Sequence, residues 1–244
     1  MLEGRVALVT GGSRGIGASI VEALAAAGAD VAFTYKSSVD GAETVRRRVE
    51  AMGRRAMAIC ADSAVPSEVV AAVDAARERL GGLDILVNNA GTFPYGAIED
   101  VGLDEVDATL AIHARAAFVA SQAALRHMDG NGRIISIGSC LAERVPAPGM
   151  ALYAMSKAAL VGFTKGLARD VGGRNITVNL VEPGSTDTDM NPAEGPSADG
   201  ERALTALGRY AKPAEIAATV AFLAGPGGAY ITGARIPVDG GYTA

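Results

Sequence analysis

Several signals that would narrow the function are missing from this sequence of 244 residues. It has only two cysteines, Cys60 and Cys140, far apart in the chain. They make no disulfide framework, so a reducing cytoplasm is the simpler expectation. The first residues, MLEGRVALVTGG, place a charge at position 3 and soon reach glycines, which is not the pattern of a signal peptide. We therefore expect a cytoplasmic protein.

Long apolar stretches and basic clusters are also missing. No apolar run is long enough to cross a bilayer, and the net charge is −5 without a basic block. We expect no nucleic acid, membrane or metal to be bound. Hydrophobic residues make up 49% of the chain, which permits a large core, and 31 glycines indicate many tight turns.

Short apolar runs alternate with longer helical patterns. The runs lie at 5–10, 30–35, 55–60, 83–88, 132–138, 175–181 and 234–238. Most are continuously apolar, as strands of a parallel sheet buried on both faces should be. The helical patterns lie near 15–28, 39–53, 66–80, 102–128, 153–171 and 213–224. This order predicts one α/β domain over residues 1–244, with a doubly wound parallel sheet of about seven strands.

One segment interrupts the alternation. Residues 183–204, PGSTDTDMNPAEGPSADGERAL, are rich in Gly, Pro, Asp and Ser and follow a predicted strand. In a doubly wound sheet, such a position suits a loop that covers the substrate. We predict that loop over residues 185–210.

The first predicted strand ends in a glycine-rich turn, TGGSRGIG (10–17), where a helix begins. Glycines at 11, 12, 15 and 17 would let the backbone approach a pyrophosphate, and the helix N-terminus would offer it free N–H groups. The spacing is Gly-x3-Gly-x-Gly rather than the commoner Gly-x-Gly-x2-Gly. The flanking strand and helix supply the context that a dinucleotide site requires.

The second predicted strand ends in FTYKSS (33–38). An NAD site usually has a carboxylate here, about 20 residues beyond the glycines. This chain has Tyr35, Lys36 and Ser37 instead, and Arg14 lies inside the glycine turn. Two cations and a hydroxyl suit the 2′-phosphate of NADP, which an Asp would repel. The sequence therefore predicts NADP (NADPH) as the cofactor.

Further polar residues follow other strands. Tyr153 and Lys157 stand at i and i+4 on one predicted helix face, and Ser139 lies 14 residues before Tyr153 at a strand end. The run LVNNAG (86–91) ends another strand. Parallel strands bring these ends to one rim, where ligands bind in such sheets.

Together these motifs resemble the short-chain dehydrogenase/reductase family, closest to its 3-oxoacyl-carrier-protein-reductase-like branch. The matching pieces are TGGSRGIG, Asp62 after the third strand, NNAG, Ser139, YAMSK, NLVEPG and ITGARIPVDGGY. They cover nearly the whole chain in the expected order. The resemblance implies a Rossmann fold, a homotetramer, and NADPH-dependent reduction of a ketone, 3-oxoacyl or another small carbonyl compound, to a secondary alcohol.

The resemblance also implies roles for the site residues. Tyr153 would protonate the carbonyl oxygen, Lys157 would lower the pKa of Tyr153 and bind the nicotinamide ribose, and Ser139 would orient the oxyanion. The cofactor would contact Gly11, Ser13, Arg14, Gly15, Ile16, Gly17, Tyr35, Lys36, Ser37, Asp62, Ser63, Asn89, Ala90, Gly91, Tyr153, Lys157, Pro183, Gly184 and Thr188.

Two positions depart from the family pattern. His113 stands where the family has an asparagine that holds a water near the lysine, so we expect it in or beside the proton path. Its ring would be neutral at pH 7 and would meet Lys157 or hold a shifted water. The stretch RHMDGNGRI puts Asp129 and Gly130 where carrier-protein reductases have basic residues. Docking of an acyl carrier protein therefore loses weight, although Arg126, Arg169 and Arg174 remain as anchors.

Two other functions stay open. One is a polyol or hydroxysteroid dehydrogenase running in the oxidative direction, which the missing acid after the second strand argues against. The other is a dinucleotide-binding sensor without catalysis, which generally loses the Tyr or the Lys that are both present here. Cys140, beside Ser139, is expected to be buried and inert.

Overall fold

The computed structural model describes residues 1–244, and its strands fall where the apolar runs predict them. The seven strands are β1 (Val6–Val9), β2 (Asp30–Tyr35), β3 (Ala56–Cys60), β4 (Ile85–Asn88), β5 (Arg133–Ile137), β6 (Thr177–Pro183) and β7 (Arg235–Val238). The eight α-helices are α1 (Gly15–Ala26), α2 (Val39–Ala51), α3 (Pro66–Leu80), α4 (Leu103–Leu110), α5 (Ala116–Ala124), α6 (Ala151–Val171), α7 (Ala198–Ala203) and α8 (Pro213–Ala224).

All seven strands form one parallel sheet in the order β3-β2-β1-β4-β5-β6-β7. Each face carries its own apolar core. One core packs α1, α2 and α8 against the sheet, and the other packs α3, α5 and α6. The strand order reverses between β1 and β4, which opens a crevice at the carboxyl edge. The predicted doubly wound α/β fold is confirmed.

The helix predicted over 102–128 runs without a break from Leu103 to Ala124, but its middle turn is π-helical. It consists of α4, a π-helical turn at Ala111–Arg115, and α5. A π turn accommodates one extra residue in a helix, and such turns are frequent at functional sites. The spacing of apolar residues in this Ala-rich stretch does not mark the extra residue, so the π turn could not be predicted from it. His113 lies at the centre of the turn.

The predicted loop over 185–210 contains a short helix, α7, which was not expected. Three side chains hold the segment together. Asn191 Nδ2 donates to Glu201 Oε2 at 2.8 Å, and the Tyr210 hydroxyl donates to Asn191 Oδ1 at 3.1 Å. The segment is therefore structured by its own hydrogen bonds.

Neither a membrane span nor a metal-ligand cluster is found in the structure. No helix combines the length and the apolar composition that crossing a bilayer requires. No group of three or more His, Cys, Asp or Glu side chains is arranged to hold a metal ion.

Candidate active site

The glycine-rich turn joins β1 to α1 and brings the backbone close to the crevice. Gly11 and Gly15 have φ of +67° and +54°, which disfavour any side chain. A Cβ on Gly17 would collide with the Gly11 carbonyl oxygen, so only glycine fits there. No side chain caps the N-terminus of α1, which leaves its first N–H groups open toward the crevice. A side-chain-free cradle at a helix N-terminus fits a pyrophosphate.

The end of β2 carries the predicted phosphate-binding cations, but one of them has a partner. Arg14, Lys36 and Ser37 all line the same cleft. Lys36 Nζ lies 2.7 Å from Asp62 Oδ2, and this ion pair raises the pKa of Lys36 and lowers the pKa of Asp62. The lysine side chain is 69% exposed, and exposed ion pairs contribute little, so an incoming phosphate can compete for it.

The end of β4 is tied to the glycine turn. Asn89 Nδ2 donates to the carbonyl oxygens of Thr10 and Gly11, at 2.9 and 3.0 Å. Gly91 follows at a crowded position, because a Cβ there would lie 3.1 Å from His113 Nε2 and 3.5 Å from Lys157 Nζ. Asn89 of the NNAG motif thus holds the glycine turn, and Gly91 avoids a side chain that would crowd His113 and Lys157.

Ser139, Tyr153 and Lys157 meet at the middle of the crevice. Ser139 follows β5, and its Oγ accepts a hydrogen bond from the Leu141 N–H at 3.2 Å. Lys157 is buried, and its Nζ donates to the Ile137 carbonyl oxygen at 3.0 Å. The same Nζ lies 5.8 Å from the centroid of the Tyr153 ring. One turn of α6 therefore stacks the ammonium beneath the phenol.

The expected lowering of the Tyr153 pKa by Lys157 is wrong. Burial raises the pKa of Tyr153 to about 12, and the neighbouring Ser139 hydroxyl offsets this only in part. Lys157 lies over the ring and bonds a backbone carbonyl, so its charge is not directed at the phenol oxygen. Burial also lowers the pKa of Lys157 to about 8. At neutral pH the phenol holds its proton and the lysine holds its charge.

His113 lies behind the lysine and is fully bonded. Its Nε2 accepts from the Thr92 N–H at 2.9 Å, which leaves the ring proton on Nδ1, 2.7 Å from Ser156 Oγ. The Ser156 hydroxyl in turn donates to the Tyr153 carbonyl oxygen at 2.7 Å. Burial and the charge of Lys157 lower the pKa of His113 to about 3, in agreement with the predicted neutral ring. The direct hydrogen bond to Lys157 does not form, because both nitrogens have other partners.

A small cavity of about 10 Å³ lies between His113 and Lys157. Asn88 also lines it, and Asn88 Oδ1 is buried without a hydrogen-bond partner. A cavity of this volume with polar groups in its wall accommodates one water. The second alternative for His113, a water held beside the lysine, stays a prediction.

A single cleft of about 1080 Å³ brings together every residue predicted to bind the cofactor, along with Ser139. We call the part near Arg14, Lys36, Ser37 and Asp62 the cofactor end. His113 is the one predicted site residue that lies outside this cleft, in the layer behind it.

The opposite part of the cleft, which we call the substrate end, was not predicted residue by residue. It is formed after β4, β5 and β6 and by the C-terminal segment, and it is lined by Phe93, Tyr95, Cys140, Leu141, Pro146, Met150, Asp189, Met190, Glu201, Leu204 and Tyr242. Phe93 packs edge-on against Tyr153, with ring centroids 4.7 Å apart. The aromatic pair that follows NNAG in TFPY was the available signal for this wall.

Cys140 is buried beside Ser139, as expected. Burial, with a smaller contribution from the charge of Asp239, raises the pKa of the Cys140 thiol to about 12. A thiol with such a pKa stays protonated at neutral pH and is a poor nucleophile. The inert role predicted for it agrees with this environment.

Comparisons with known proteins agree with the fold and with the cleft. A family model described as enoyl-(acyl carrier protein) reductase matches residues 11–243. The cyclic-di-GMP-binding biofilm dispersal mediator protein of Escherichia coli strain K12 is 45% identical over 241 residues, or 99% of this chain and 98% of that protein. The versicolorin reductase stcU of Emericella nidulans is 38% identical over 253 residues, or 98% of this chain and 96% of that protein.

A solved structure is still more similar. The crystal structure of a short chain dehydrogenase from Burkholderia cenocepacia J2315 in complex with NADP superposes with a TM-score of 0.99 at 59% identity, covering 100% of this chain and 99% of that one. The chain belongs to the short-chain dehydrogenase/reductase family and is an oxidoreductase of that family.

Proposed function

We propose that this protein uses NADPH to reduce a ketone to a secondary alcohol. The observation that carries the proposal is the meeting of Ser139, Tyr153 and Lys157 in one cleft whose other end holds Arg14 and Lys36. The NADP complex of the Burkholderia relative and the reductase name of the Emericella relative support it.

Tyr153, Ser139 and Lys157 have different roles in the reduction of the carbonyl group. Bound NADPH supplies the hydride that adds to the carbonyl carbon. Tyr153 holds its proton at neutral pH and gives it to the carbonyl oxygen as negative charge develops there. The Ser139 hydroxyl orients that oxygen by a hydrogen bond. The buried ammonium of Lys157, beneath the ring, would hold the nicotinamide ribose of the bound cofactor.

The cofactor end selects NADPH over NADH. Arg14 and Lys36 face a site with no carboxylate at the end of β2, and Asp62 holds Lys36 in place until a 2′-phosphate competes for it. The remaining residues that line the cleft near the glycine turn and after β6 hold the pyrophosphate and the nicotinamide.

The test measures NADPH and NADH oxidation with a panel of ketones that includes a β-ketoester. We expect turnover with NADPH and a much lower kcat/KM with NADH. Lys36→Asp should raise KM for NADPH by about 10- to 100-fold, because a carboxylate would face the 2′-phosphate. Lys165→Asp is the matched control, since Lys165 is an exposed lysine on α6 outside the cleft. Equal kcat/KM for the two cofactors in the parent would contradict the assignment.

A second candidate function is binding of cyclic di-GMP without turnover, which the name of the Escherichia coli relative favours. The complete set of Ser139, Tyr153 and Lys157 favours the reductase. Oxidation of a polyol or hydroxysteroid is the other alternative, and it requires turnover of an alcohol with NAD. Titration of the protein with cyclic di-GMP in the presence and absence of NADPH separates the ligands, because a shared cleft would make them compete.

We also propose a homotetramer in the cytoplasm. Phe118 on α5, Met155 on α6 and Phe222 on α8 are each about half exposed, and Tyr230, near β7, is fully exposed. Two patches of this kind suit the two interfaces of a closed tetramer. Both cysteines are free, which suits a reducing compartment. Light scattering that shows a monomer at micromolar concentration would overturn the tetramer.

Docking of an acyl carrier protein has weak support. Of the three arginines that could anchor it, Arg174 donates to the backbone carbonyls of Leu125 and Met128 and is committed to the fold. Arg126 and Arg169 stay exposed. A free ketone is the substrate we propose.

A further inference from the structure

The substrate end of the cleft has an aromatic wall next to the proton donor. Phe93 meets the Tyr153 ring at a 65° interplanar angle, and Tyr95 stacks on Phe93 at 19° with centroids 6.4 Å apart. Phe93 is 40% exposed and Tyr95 is 66% exposed. Two partly exposed aromatic rings, one of them in contact with Tyr153, favour a planar aromatic group on the substrate.

Apolar side chains line much of the rest of the wall, beside the polar residues Asn191 and Ser197 and the carboxylates of Asp189 and Glu201. Leu141, Met150, Met190 and Leu204 line it from three different connections. Methionine side chains fill irregular gaps and make favourable contacts with aromatic rings. The apolar part of the wall therefore offers contact to a ring.

The charges in this cleft are unevenly distributed. Its cations are Arg14 and Lys36, both at the cofactor end, and Lys157, buried beneath Tyr153. The substrate end has two carboxylates, Asp189 and Glu201, and no cation.

Neither carboxylate forms an ion pair. Glu201 accepts hydrogen bonds from Asn191 Nδ2 and from Ser197 Oγ, at 2.8 and 3.2 Å, and both donors are uncharged. Asp189 is exposed and takes part in no ion pair. An anionic group on a substrate would be repelled here, because like charges across a binding site oppose association.

We propose that the substrate is a ketone with an aromatic ring next to the carbonyl and without an anionic group. This inference rests on the ketone reduction proposed above. It excludes free β-keto acids and other carboxylates as good substrates, whereas esters and amides of the same skeleton are accepted.

The test compares 4-acetylbenzamide with 4-acetylbenzoate, which differ little in size and differ in charge. We expect kcat/KM for the carboxylate to be at least about tenfold lower. The double variant Asp189→Asn/Glu201→Gln should narrow that gap. Glu194→Gln is the matched control, since Glu194 is exposed on the same segment and lies outside the cleft. Equal kcat/KM for the two ketones in the parent would overturn the charge preference.

The aromatic preference has its own comparison, acetophenone against cyclohexyl methyl ketone. Phe93→Leu should reduce the preference for acetophenone, because it removes the ring that the substrate stacks on. A parent enzyme that prefers the cyclohexyl ketone would overturn this part.

A binding measurement separates the failure of this inference from the failure of the proposed function. If no ketone is turned over, ketone reduction is wrong. Equilibrium binding of benzamide and benzoate to the protein loaded with NADP then still tests the charge preference. Tighter binding of benzamide supports it, and equal or tighter binding of benzoate contradicts it.

Discussion

The two ends of the cleft are built in different ways. The cofactor end is made of strand ends and a glycine turn, held by backbone geometry and by Asn89, which bonds the carbonyl oxygens of Thr10 and Gly11. The substrate end is made of side chains from long connections, and its 185–210 segment is held by hydrogen bonds among Asn191, Glu201 and Tyr210. The cofactor end thus holds the hydride donor by backbone geometry. Side chains of the substrate end determine which substrates bind beside it.

A substitution at Gly17 should disturb the cofactor end most strongly. Gly17→Ala would push a methyl group into the Gly11 carbonyl oxygen and displace the turn. We expect kcat/KM for NADPH to fall at least about 100-fold, because small misplacements at a reacting site are costly.

Gly162→Ala is the control for that change. Gly162 lies inside α6, and an added Cβ would meet nothing within 4 Å. Activity should be unchanged, and helix propensity should stabilise the fold by about 0.5–1 kcal/mol. If Gly17→Ala and Gly162→Ala have the same kcat/KM for NADPH, the turn tolerates a side chain at Gly17 and its close approach to Gly11 does not matter for cofactor use.

The pH dependence of ketone reduction tests the role of Lys157, which lies between the cofactor end and the substrate end. Burial lowers the pKa of Lys157 from 10.5 to about 8, so its charge is present below that pH and is lost above it. Ketone reduction should slow as the pH rises through about 8. Tyr153, with a pKa of about 12, and His113, with a pKa of about 3, should contribute no limb near neutrality.

Lys157→Arg tests the assignment of that limb. An arginine keeps its charge far above pH 8, so whatever activity the variant retains should lose the alkaline fall. A fall that persists at the same pH would assign the limb to another group.

The smallest expected effect concerns His113. His113→Asn keeps hydrogen-bonding capacity and should retain substantial activity. His113→Leu leaves the Thr92 N–H without its acceptor and Ser156 Oγ without the donor on the ring. We expect this to cost about 1–3 kcal/mol of folding stability and to lower kcat more than His113→Asn does. Thermal unfolding and kcat measure the two effects. If His113→Leu has the kcat of the parent at every pH, the residue only packs.

The fold and the cofactor end could be predicted from the sequence because their signals are local. Continuous apolar runs marked the strands, and each motif that ends a strand had to reach the same edge of a parallel sheet. The glycines of the turn indicated both a φ above zero, which Gly11 and Gly15 have, and a close approach, which Gly17 makes to the Gly11 carbonyl oxygen.

Other features depend on side chains that are distant in sequence. Lys36 and Asp62 are 26 positions apart, and their ion pair forms only when β2 and β3 lie side by side. Burial among the surrounding connections raises the Tyr153 pKa, and Lys157, four residues away, does not offset that rise. The π turn around His113 leaves no mark in the hydrophobic pattern. These features follow from packing, which periodicity does not report.

Transfer of deuterium from NADPH labelled at the nicotinamide C4 position follows the proposed hydride into the product. With an aromatic ketone as substrate, we expect one deuterium on the carbinol carbon of the product in the parent enzyme. Tyr153→Phe removes only the hydroxyl and should still bind NADPH, while forming the labelled alcohol about 10²–10⁴ times more slowly. Cofactor consumption without label in the alcohol would contradict hydride transfer from NADPH to the ketone. A Tyr153→Phe variant as fast as the parent would contradict Tyr153 as the proton donor.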